Sequence, residues 1–235
     1  MYGDVLKMDY AKVINILSSG VGTTLKIFGL TLLFSIPVGM LVALGRMSKC
    51  KPLSWFLNLY ILIMRGTPLM LQIIVVFFAI PTLQQNPPGF LKDFFDTYQI
   101  ENMDRFTAII VAFSINYAAY FAEIFRGGIL SIPKGQYEAA SSLGFTKKQT
   151  FFKIILPQVI KRVLPATSNE VITLVKDTSL ASIIAVNELF VIATQQKNLY
   201  VSLTPLFIAG AFYLLMCSFI TVFFWFAEKR LNYYK

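Results

Sequence analysis

The sequence predicts an all-α integral membrane protein with five transmembrane helices. Of its 235 residues, 56% are hydrophobic and only 14% are charged, whereas a soluble domain carries about 25% charged residues. Five apolar stretches reach the roughly 20 residues that a helix needs to cross the hydrocarbon core of a bilayer. We place these spans at about 22–45, 56–80, 106–127, 164–191 and 203–227, within one transmembrane domain that covers residues 1–235.

The distribution of lysine and arginine orients the predicted spans. Most of the 21 basic residues lie after the first, third and fifth spans, around residues 46–51, 126–162 and 229–235. Cytoplasmic loops are enriched in such residues, so we expect the amino terminus outside and the carboxyl terminus in the cytoplasm. Five spans satisfy this orientation, because an odd number puts the two termini on opposite sides of the membrane. The formal net charge of +9 therefore reflects membrane topology and does not indicate nucleic-acid binding.

The first two spans and their flanking segments have distinct features. Residues 4–18 mix apolar and charged positions, which is typical of an interfacial amphipathic helix on the outer side. The first span ends at the basic cluster that begins with Arg46, and Pro52 follows it. The second span contains Arg65-Gly66-Thr67-Pro68 near its middle, an unusual place for a guanidinium. After Pro81 an outer loop opens, in which residues 90–98 predict a short surface helix.

The third span carries Glu123 near its end and leads into a polar, basic loop at about 128–163. Residues 137–143 predict one short helix, and Gly144 stands in the position of a helix-ending glycine. Thr146 and Gln149 form a capping-box pattern that opens a second helix. Two short helices around a glycine would form a compact knob that fits a groove on a partner protein. The alternative is an ordinary cytoplasmic connector, basic because basic loops stay inside.

The fourth span is the most polar one and holds the candidate solute site. At 100° per residue, Glu170, Thr173 and Asp177 fall within about 60° of one another, so they form one polar stripe. Seven residues at 1.5 Å each place the two carboxylates about 10 Å apart along the helix axis. Charged residues inside a membrane span indicate a functional site, and this separation suits an elongated solute with a cationic group at each end.

Other charged residues have two open interpretations. Arg65 offers its donors either to the carboxylate of the solute or to Glu123. Lys176 is a candidate partner of Glu170, while Glu123 is expected to pair at the helix end with Arg126. Such pairs would hold helices together without touching the solute. Glu188 is predicted near the outer end of the fourth span, where access to solvent makes it uninformative.

The sequence argues against an enzyme. It has no histidine, and its two cysteines, Cys50 and Cys217, are predicted in a cytoplasmic loop and in the last span. No metal site and no nucleophile–base set is expected from these residues. The sequence has no G-x-x-x-x-G-K-[ST] phosphate-binding loop, so any energy from ATP must come from another polypeptide. No bound cofactor is expected in this chain.

One motif connects the polar loop to a known family. Glu138-Ala139-Ala140, Gly144 and the sequence from Ile154 to Pro157 read as EAA-x3-G-x9-I-x-LP, which resembles the cytoplasmic motif of ABC importer permeases. The resemblance extends to RGTPLMLQ (65–72), AEIFRGGILSIPKGQYEAASSLGF (122–145), ILPQ (155–158) and NEVITLVKDTSLASII (169–184). These segments are similar to the polar amino acid subfamily, above all to its permeases for histidine, arginine and lysine.

The resemblance implies partners and roles. It implies a type I ABC importer permease with alternating access, a second permease copy or paralogue, two ATPase subunits that hold ATP and magnesium, and an extracytoplasmic solute-binding protein. The implied surroundings are the bacterial inner membrane and its lipid. The implied ATPase-coupling residues are Glu138, Ala139, Ala140, Leu143, Gly144 and Phe145. The expected residues for the amino acid substrate are Glu170, Asp177, Arg65, Thr67, Asn169 and Thr173.

Other functions stay open at this point. Glutamine and cystine permeases share most of these segments, so the sequence does not decide the transported amino acid. An ion-coupled carrier or channel would use Glu170 and Asp177 to relay protons or Na⁺. A membrane scaffold or receptor would use the same charges for assembly only. ATP-dependent uptake separates the first interpretation from the other two.

Overall fold

The computed structural model describes residues 8–85, 87–89 and 102–231 of the chain. Within these residues it is built from helices and contains no strand. The surface helix predicted at 90–98 and the first residues of the predicted amphipathic helix lie outside the described residues. Residues 10–18 were expected in a separate amphipathic helix. They instead continue without a break into the first long helix, so that expectation was wrong for the described part.

The helices follow one another in this order. The first four are α1 (Tyr10–Arg46), α2 (Lys51–Gly66), α3 (Leu69–Gln85) and α4 (Arg105–Leu130). The polar loop holds α5 (Lys134–Ser142) and α6 (Lys147–Thr150), followed by a π-helical turn (Phe151–Ile155). The last part holds α7 (Leu156–Asp177), a 3₁₀ helix (Thr178–Ile184), α8 (Leu189–Tyr200) and α9 (Thr204–Leu231).

Two of the predicted spans are bent pairs of helices. The axes of α2 and α3 differ by 112°, and the helical stretch that ends at Ile184 differs from α8 by 60°. By length and composition, α1, α4 and α9 can each cross a membrane, and the number rises to five if each bent pair is one span. The count of five spans therefore stays a prediction.

Helix α4 is the centre of the molecule. In its most apolar 18-residue window, 67% of the residues are buried, against 6% for α9. Helix α1 packs along it closely at Gly39, where an added Cβ would lie 2.8 Å from Phe121 Cβ and 2.9 Å from the carbonyl oxygen of Ala118. Small residues at such a crossing let two membrane helices approach each other. This contact fixes the position of α4 against α1.

Aspartates begin two of the long helices, α1 and α4. Asp9 accepts hydrogen bonds from the backbone N–H groups of Ala11 and Lys12 at 3.0 and 3.3 Å. Asp104 likewise accepts from the backbone of Phe106 and Thr107. A hydrogen bond from the Thr107 hydroxyl holds the pKa of the exposed Asp104 carboxyl below its usual range. Both caps satisfy N–H groups that have no partner within the helix.

Candidate functional site

A small cavity opens where the break between α2 and α3 faces α4 and α7. Its volume is about 180 Å³, below the roughly 300–1,000 Å³ of pockets for drug-sized ligands. Four residues of the predicted site line it: Thr67, Glu170, Thr173 and Asp177. The other lining residues are Leu69, Asn116, Tyr117 and Tyr120. The cavity is therefore smaller than a typical drug pocket and is lined mainly by polar and aromatic side chains.

The α2–α3 break brings Thr67 to the cavity. Pro68 has no N–H and disfavours helical geometry in the residue before it, and Thr67 accordingly has φ −120° and ψ 149°. The break frees backbone carbonyls, which Gln72 and Asn116 satisfy. Gln72 Nε2 donates to the carbonyl oxygens of Met64 and Thr67 at 3.0 and 3.2 Å. The Asn116 amide donates to the same Met64 carbonyl at 3.0 Å.

A further amide contact ties the break to the central helix. Asn116 Nδ2 also donates to Gln72 Oε1 at 2.9 Å, and Gln72 Nε2 donates to the Thr67 hydroxyl oxygen at 2.8 Å. Because Asn116 is buried in α4, this network holds the kinked segment against a rigid element. A fixed kink positions the polar wall of the cavity opposite α7.

The two carboxylates of α7 lie on the same cavity, as the predicted stripe requires. The Tyr117 hydroxyl donates to Asp177 Oδ2 at 2.8 Å, and Tyr117 itself is only 2% exposed. Thr173 and Glu170 lie one and two turns earlier on α7, respectively, and both are half-buried. Neither carboxylate forms a salt bridge among the described residues. Two acids without a salt-bridged cation favour a cationic guest.

Arg65 lies beside the cavity and pairs with Glu123. Its Nη1 is 3.5 Å from Glu123 Oε1, and its guanidinium carbon is 5.4 Å from the centre of the Tyr120 ring. Tyr120 lines the cavity, so the guanidinium stands at the edge of the site. The pairing alternative for Arg65 is therefore present in the structure, and contact with a solute carboxylate stays a prediction.

Glu123 joins three helices near their ends. Besides Arg65 of α2, it binds Arg46 of α1 at 2.7 Å and Arg126 of its own helix α4 at 2.8 Å. The predicted pair with Arg126 is confirmed. One carboxylate among three guanidinium groups leaves a net positive cluster at this end of the molecule. The cluster also shows that the carboxyl ends of α1, α2 and α4 lie together.

Three polar residues of this region lie outside the cavity: Asn169, Lys176 and Glu188. Asn169 and Lys176 are exposed on α7 and do not line the cavity. Lys176 forms no salt bridge with Glu170 among the described residues. Glu188 was expected to be accessible to solvent, and this expectation was wrong, because its exposure is 0%.

Glu188 begins α8 inside the protein. Its carboxylate accepts hydrogen bonds from the backbone of Phe190 and Val191, each at 2.8 Å. The Tyr213 hydroxyl of α9 donates to it at 2.8 Å as well. Glu188 therefore caps a helix that restarts within the membrane domain and ties that helix to α9. The sequence contained a signal for this capping role, because Glu188 stands directly before the apolar run that starts at Leu189.

Sequence reasoning missed four residues that line the cavity. Asn116, Tyr117 and Tyr120 are spaced within little more than one turn in the otherwise apolar third span. Such a polar and aromatic group on one helix was an available signal. Leu69 carried no signal, because an apolar residue in a membrane span is expected everywhere.

The polar loop folds as two short helices around a glycine. Gly144 has φ 76°, a left-handed conformation that glycine adopts at no steric cost. Its N–H donates to the Ser141 carbonyl and the Phe145 N–H donates to the Ala140 carbonyl, each at 3.0 Å. These two bonds form a Schellman motif, which ends α5. The predicted capping box of Thr146 and Gln149 is also present.

The predicted coupling residues lie on the surface of this loop, with one exception. Leu143 is 75% exposed, although it is a large apolar side chain. The residues Glu138, Ala139 and Gly144 are exposed as well, and Phe145 is half-exposed. Ala140 is only 1% exposed and faces the protein. The exposed apolar side chain at the tip of α5 marks a surface suited to a partner protein.

Comparisons with known proteins agree with these observations. Residues 35–233 match the family described as binding-protein-dependent transport system inner membrane component. The chain is 37% identical over 221 residues to the L-cystine transport system permease protein TcyB of Bacillus subtilis (strain 168), covering 93% of this chain and 88% of the relative. It is 35% identical over 214 residues to the arginine transport system permease protein ArtQ of the same organism, covering 91% of each.

Solved structures have the same fold. A crystal structure of an amino acid ABC transporter with histidines matches with a TM-score of 0.78 at 31% identity, covering 96% of this chain and all of that one. An inward-facing structure of the MetNI methionine ABC transporter matches with a TM-score of 0.71 at 19% identity and the same coverage. The predicted type I importer fold is confirmed, and so is the predicted role as a transport subunit and not an enzyme. The chain belongs to the family of inner membrane components of binding-protein-dependent transport systems.

Proposed function

We propose that this chain is the translocation subunit of an ATP-driven importer of basic amino acids. The observation that carries the proposal is the cavity of about 180 Å³ with Glu170 and Asp177 on one wall. Two carboxylates spaced along α7 match an amino acid with an α-ammonium group and a cationic side chain. Arg65, next to the cavity, is the proposed partner of the solute carboxylate.

Thr67, Thr173 and Asn169 complete the proposed set of solute contacts. The hydroxyls of Thr67 and Thr173 line the cavity and offer both donors and acceptors. Asn169 lies outside the cavity lining, so a contact from it requires a change in conformation or a neighbouring chain. Alternating access of the importer supplies such a change, because the site must open to each side of the membrane in turn.

L-cystine is a second candidate substrate. The similarity to a cystine permease of Bacillus subtilis favours it, and cystine also carries an ammonium group at each end. It differs from arginine in carrying a second carboxylate, which two acids in the cavity would repel. A glutamine permease is a weaker alternative, because the side chain of glutamine is uncharged.

The proposed partners rest on the exposed polar loop and on the family to which the chain belongs. An ATPase subunit docks on the loop around Gly144, where Glu138 and Leu143 are exposed. A second permease, identical or paralogous, completes the pathway, and each permease receives one ATPase, so that two ATPases with ATP and magnesium drive the complex. An extracytoplasmic binding protein delivers the amino acid. The amino terminus is proposed outside and the carboxyl terminus in the cytoplasm.

The test is ATP-dependent uptake of labelled arginine, lysine, histidine, glutamine and cystine into proteoliposomes. The vesicles hold this chain with its co-purified ATPase and binding protein. Saturable uptake of the cationic amino acids alone supports the proposal. Preference for cystine or glutamine keeps the importer and overturns the role of the two acids in selecting basic solutes. Uptake that persists without ATP indicates an ion-coupled carrier or a channel.

A further inference from the structure

A second groove lies between α7 and α9, away from the cavity already described. Its volume is about 300 Å³. Helix α7 contributes Lys161, Leu164 and Pro165 to its wall, and helix α9 contributes Trp225, Glu228, Lys229 and Leu231. Two lysines from segments far apart in the sequence thus face one open space. The mixture of cationic, aromatic and apolar groups is unlike the acidic cavity at the α2–α3 break.

The aromatic ring holds one of the two cations at the groove. Lys229 Nζ lies 5.1 Å from the centre of the Trp225 ring, a distance typical of a cation–π contact. Among the described residues that line the groove, Glu228 adds one negative charge to the two positive ones, so their formal net charge is +1. Leu164 and Pro165 give the groove an apolar part beside its charged part. An anionic group attached to an apolar molecule matches this surface.

The position of the groove identifies the source of such a molecule. Arg162, next to Lys161, donates a hydrogen bond to the carbonyl of Ser131 at the carboxyl end of α4. The groove therefore lies at the end of the molecule where the Glu123 cluster joins α1, α2 and α4. Above it, α9 exposes large apolar side chains such as Phe219 and Phe223, at 75% and 62%. Tryptophan and lysine at the end of such a helix are typical of the headgroup region.

We propose that this groove binds the phosphate of an anionic glycerophospholipid headgroup. Lys161 and Lys229 contact the phosphate, Trp225 fixes the Lys229 ammonium, and the apolar part of the groove receives the glycerol and the start of an acyl chain. Basic pockets between membrane helices bind anionic headgroups in this way. Assignment to the cytoplasmic leaflet rests on the proposed orientation, whereas binding of the headgroup does not depend on the transported solute.

A bound lipid at this place would brace the seam between α7 and α9. Helix α7 carries the two cavity acids at its other end and continues from the polar loop through the π-helical turn. The lipid would therefore hold the helix that connects the proposed ATPase-docking loop to the cavity. Positively charged cytoplasmic loops in general attract anionic membranes. That general attraction does not predict that lipid binding depends on Lys161 and Lys229 more than on other lysines.

The test is lipid retention by the full-length protein, measured by native mass spectrometry. The protein is purified in detergent and exposed to phosphatidylglycerol or to phosphatidylcholine at equal concentration. We expect the unaltered chain to retain phosphatidylglycerol, and the double variant Lys161→Gln/Lys229→Gln to retain at least fivefold less. The control Lys147→Gln/Lys148→Gln removes the same charge from an exposed segment and should keep normal retention. Equal losses in both double variants would show nonspecific attraction and overturn the proposal.

A third variant tests the groove by gain of binding, which misfolding cannot imitate. Glu228→Gln removes the one carboxylate among the described residues that line the groove, so we expect retention of phosphatidylglycerol to increase about twofold or more. Unchanged or reduced retention contradicts the proposed contact.

Competition with inorganic phosphate distinguishes a lipid headgroup from a free anion as the ligand. If millimolar phosphate displaces phosphatidylglycerol completely, the groove is a site for free anions and the lipid assignment is wrong.

Discussion

Asp177 combines a charge within a membrane span with a fixed orientation. The Tyr117 hydroxyl donates to it at 2.8 Å, and the residue lies at the carboxyl end of α7, next to the 3₁₀ helix. The negative end of a helix dipole is an unfavourable place for a carboxylate. A positively charged solute would offset this unfavourable interaction between the carboxylate and the helix dipole, which agrees with the proposed selection of basic amino acids.

The change Asp177→Asn should weaken uptake of basic amino acids while leaving the complex assembled. Asparagine keeps the shape of the side chain and removes its charge. We expect this change to weaken arginine binding by about 1.4 kcal/mol, which corresponds to a tenfold rise in KM. Uptake kinetics in proteoliposomes provide the measurement. Asp9→Asn is the control, because asparagine is an equally good helix cap. An unchanged KM in the Asp177 variant would remove this residue from the solute site.

Tyr117 is expected to act as a positioning residue for Asp177. A hydrogen bond to a charged group contributes about 1.5–3 kcal/mol, so Tyr117→Phe should raise the KM for arginine roughly tenfold and change the maximal rate less. The matched control is Tyr120→Phe, which removes a hydroxyl from the same cavity without touching Asp177. If both variants shift the KM equally, loss of polarity in the cavity is the cause and the hydrogen bond is not.

At the scale of elements, breaks in helices place the functional groups. The turn at Pro68 presents Thr67 to the cavity, and the restart at Glu188 ties α8 to α9 through Tyr213. Each break leaves backbone groups without helical partners, which are costly away from water. Polar side chains satisfy some of them, namely the half-buried Gln72 and the buried Asn116 at the first break, and the buried Glu188 at the second. The polar residues of these spans therefore divide between solute binding and support of the backbone.

The glycine between α5 and α6 should be required for docking of the ATPase. A side chain with a Cβ in the left-handed conformation costs about 1–2 kcal/mol, so Gly144→Val should lower the recovery of ATPase in a pull-down about tenfold. Gly135→Val is the control, since an added Cβ there meets nothing within 4 Å and no positive φ is required. Full recovery of the ATPase with Gly144→Val would show that the loop geometry does not govern docking.

At the scale of the whole molecule, close packing of α1 on α4 holds the domain together. The Glu123 cluster adds charge contacts at one end of the same helix pair, and Glu188 adds hydrogen bonds between α8 and α9. Helix α9 contributes little to this packing, since only 6% of its most apolar 18-residue window is buried. The α1–α4 contact at Gly39 is therefore a part of the fold that is sensitive to the size of its residues.

The change Gly39→Ala should destabilise the domain, because its Cβ would approach Phe121 Cβ and the Ala118 carbonyl to less than 3 Å. Overpacking of this kind costs about 1–3 kcal/mol. Thermal unfolding of the purified protein in detergent should therefore show a lower midpoint. Gly22→Ala is the control on the same helix, where an added Cβ meets nothing within 4 Å. A midpoint for Gly39→Ala at or above that of the control would contradict the close contact.

The helical membrane fold, the family and the loop around Gly144 could be predicted from the amino-acid sequence, because they depend on local properties. Apolar length, basic clusters, the capping box and the glycine act within a few residues of the chain. The sequence also placed Glu170 and Asp177 on one face of a helix, since the period of the helix is fixed. Tertiary structure decided which other groups meet them. Tyr117, Asn116 and the α2–α3 break reach the cavity only through packing of separate helices, and Glu188 is buried for the same reason.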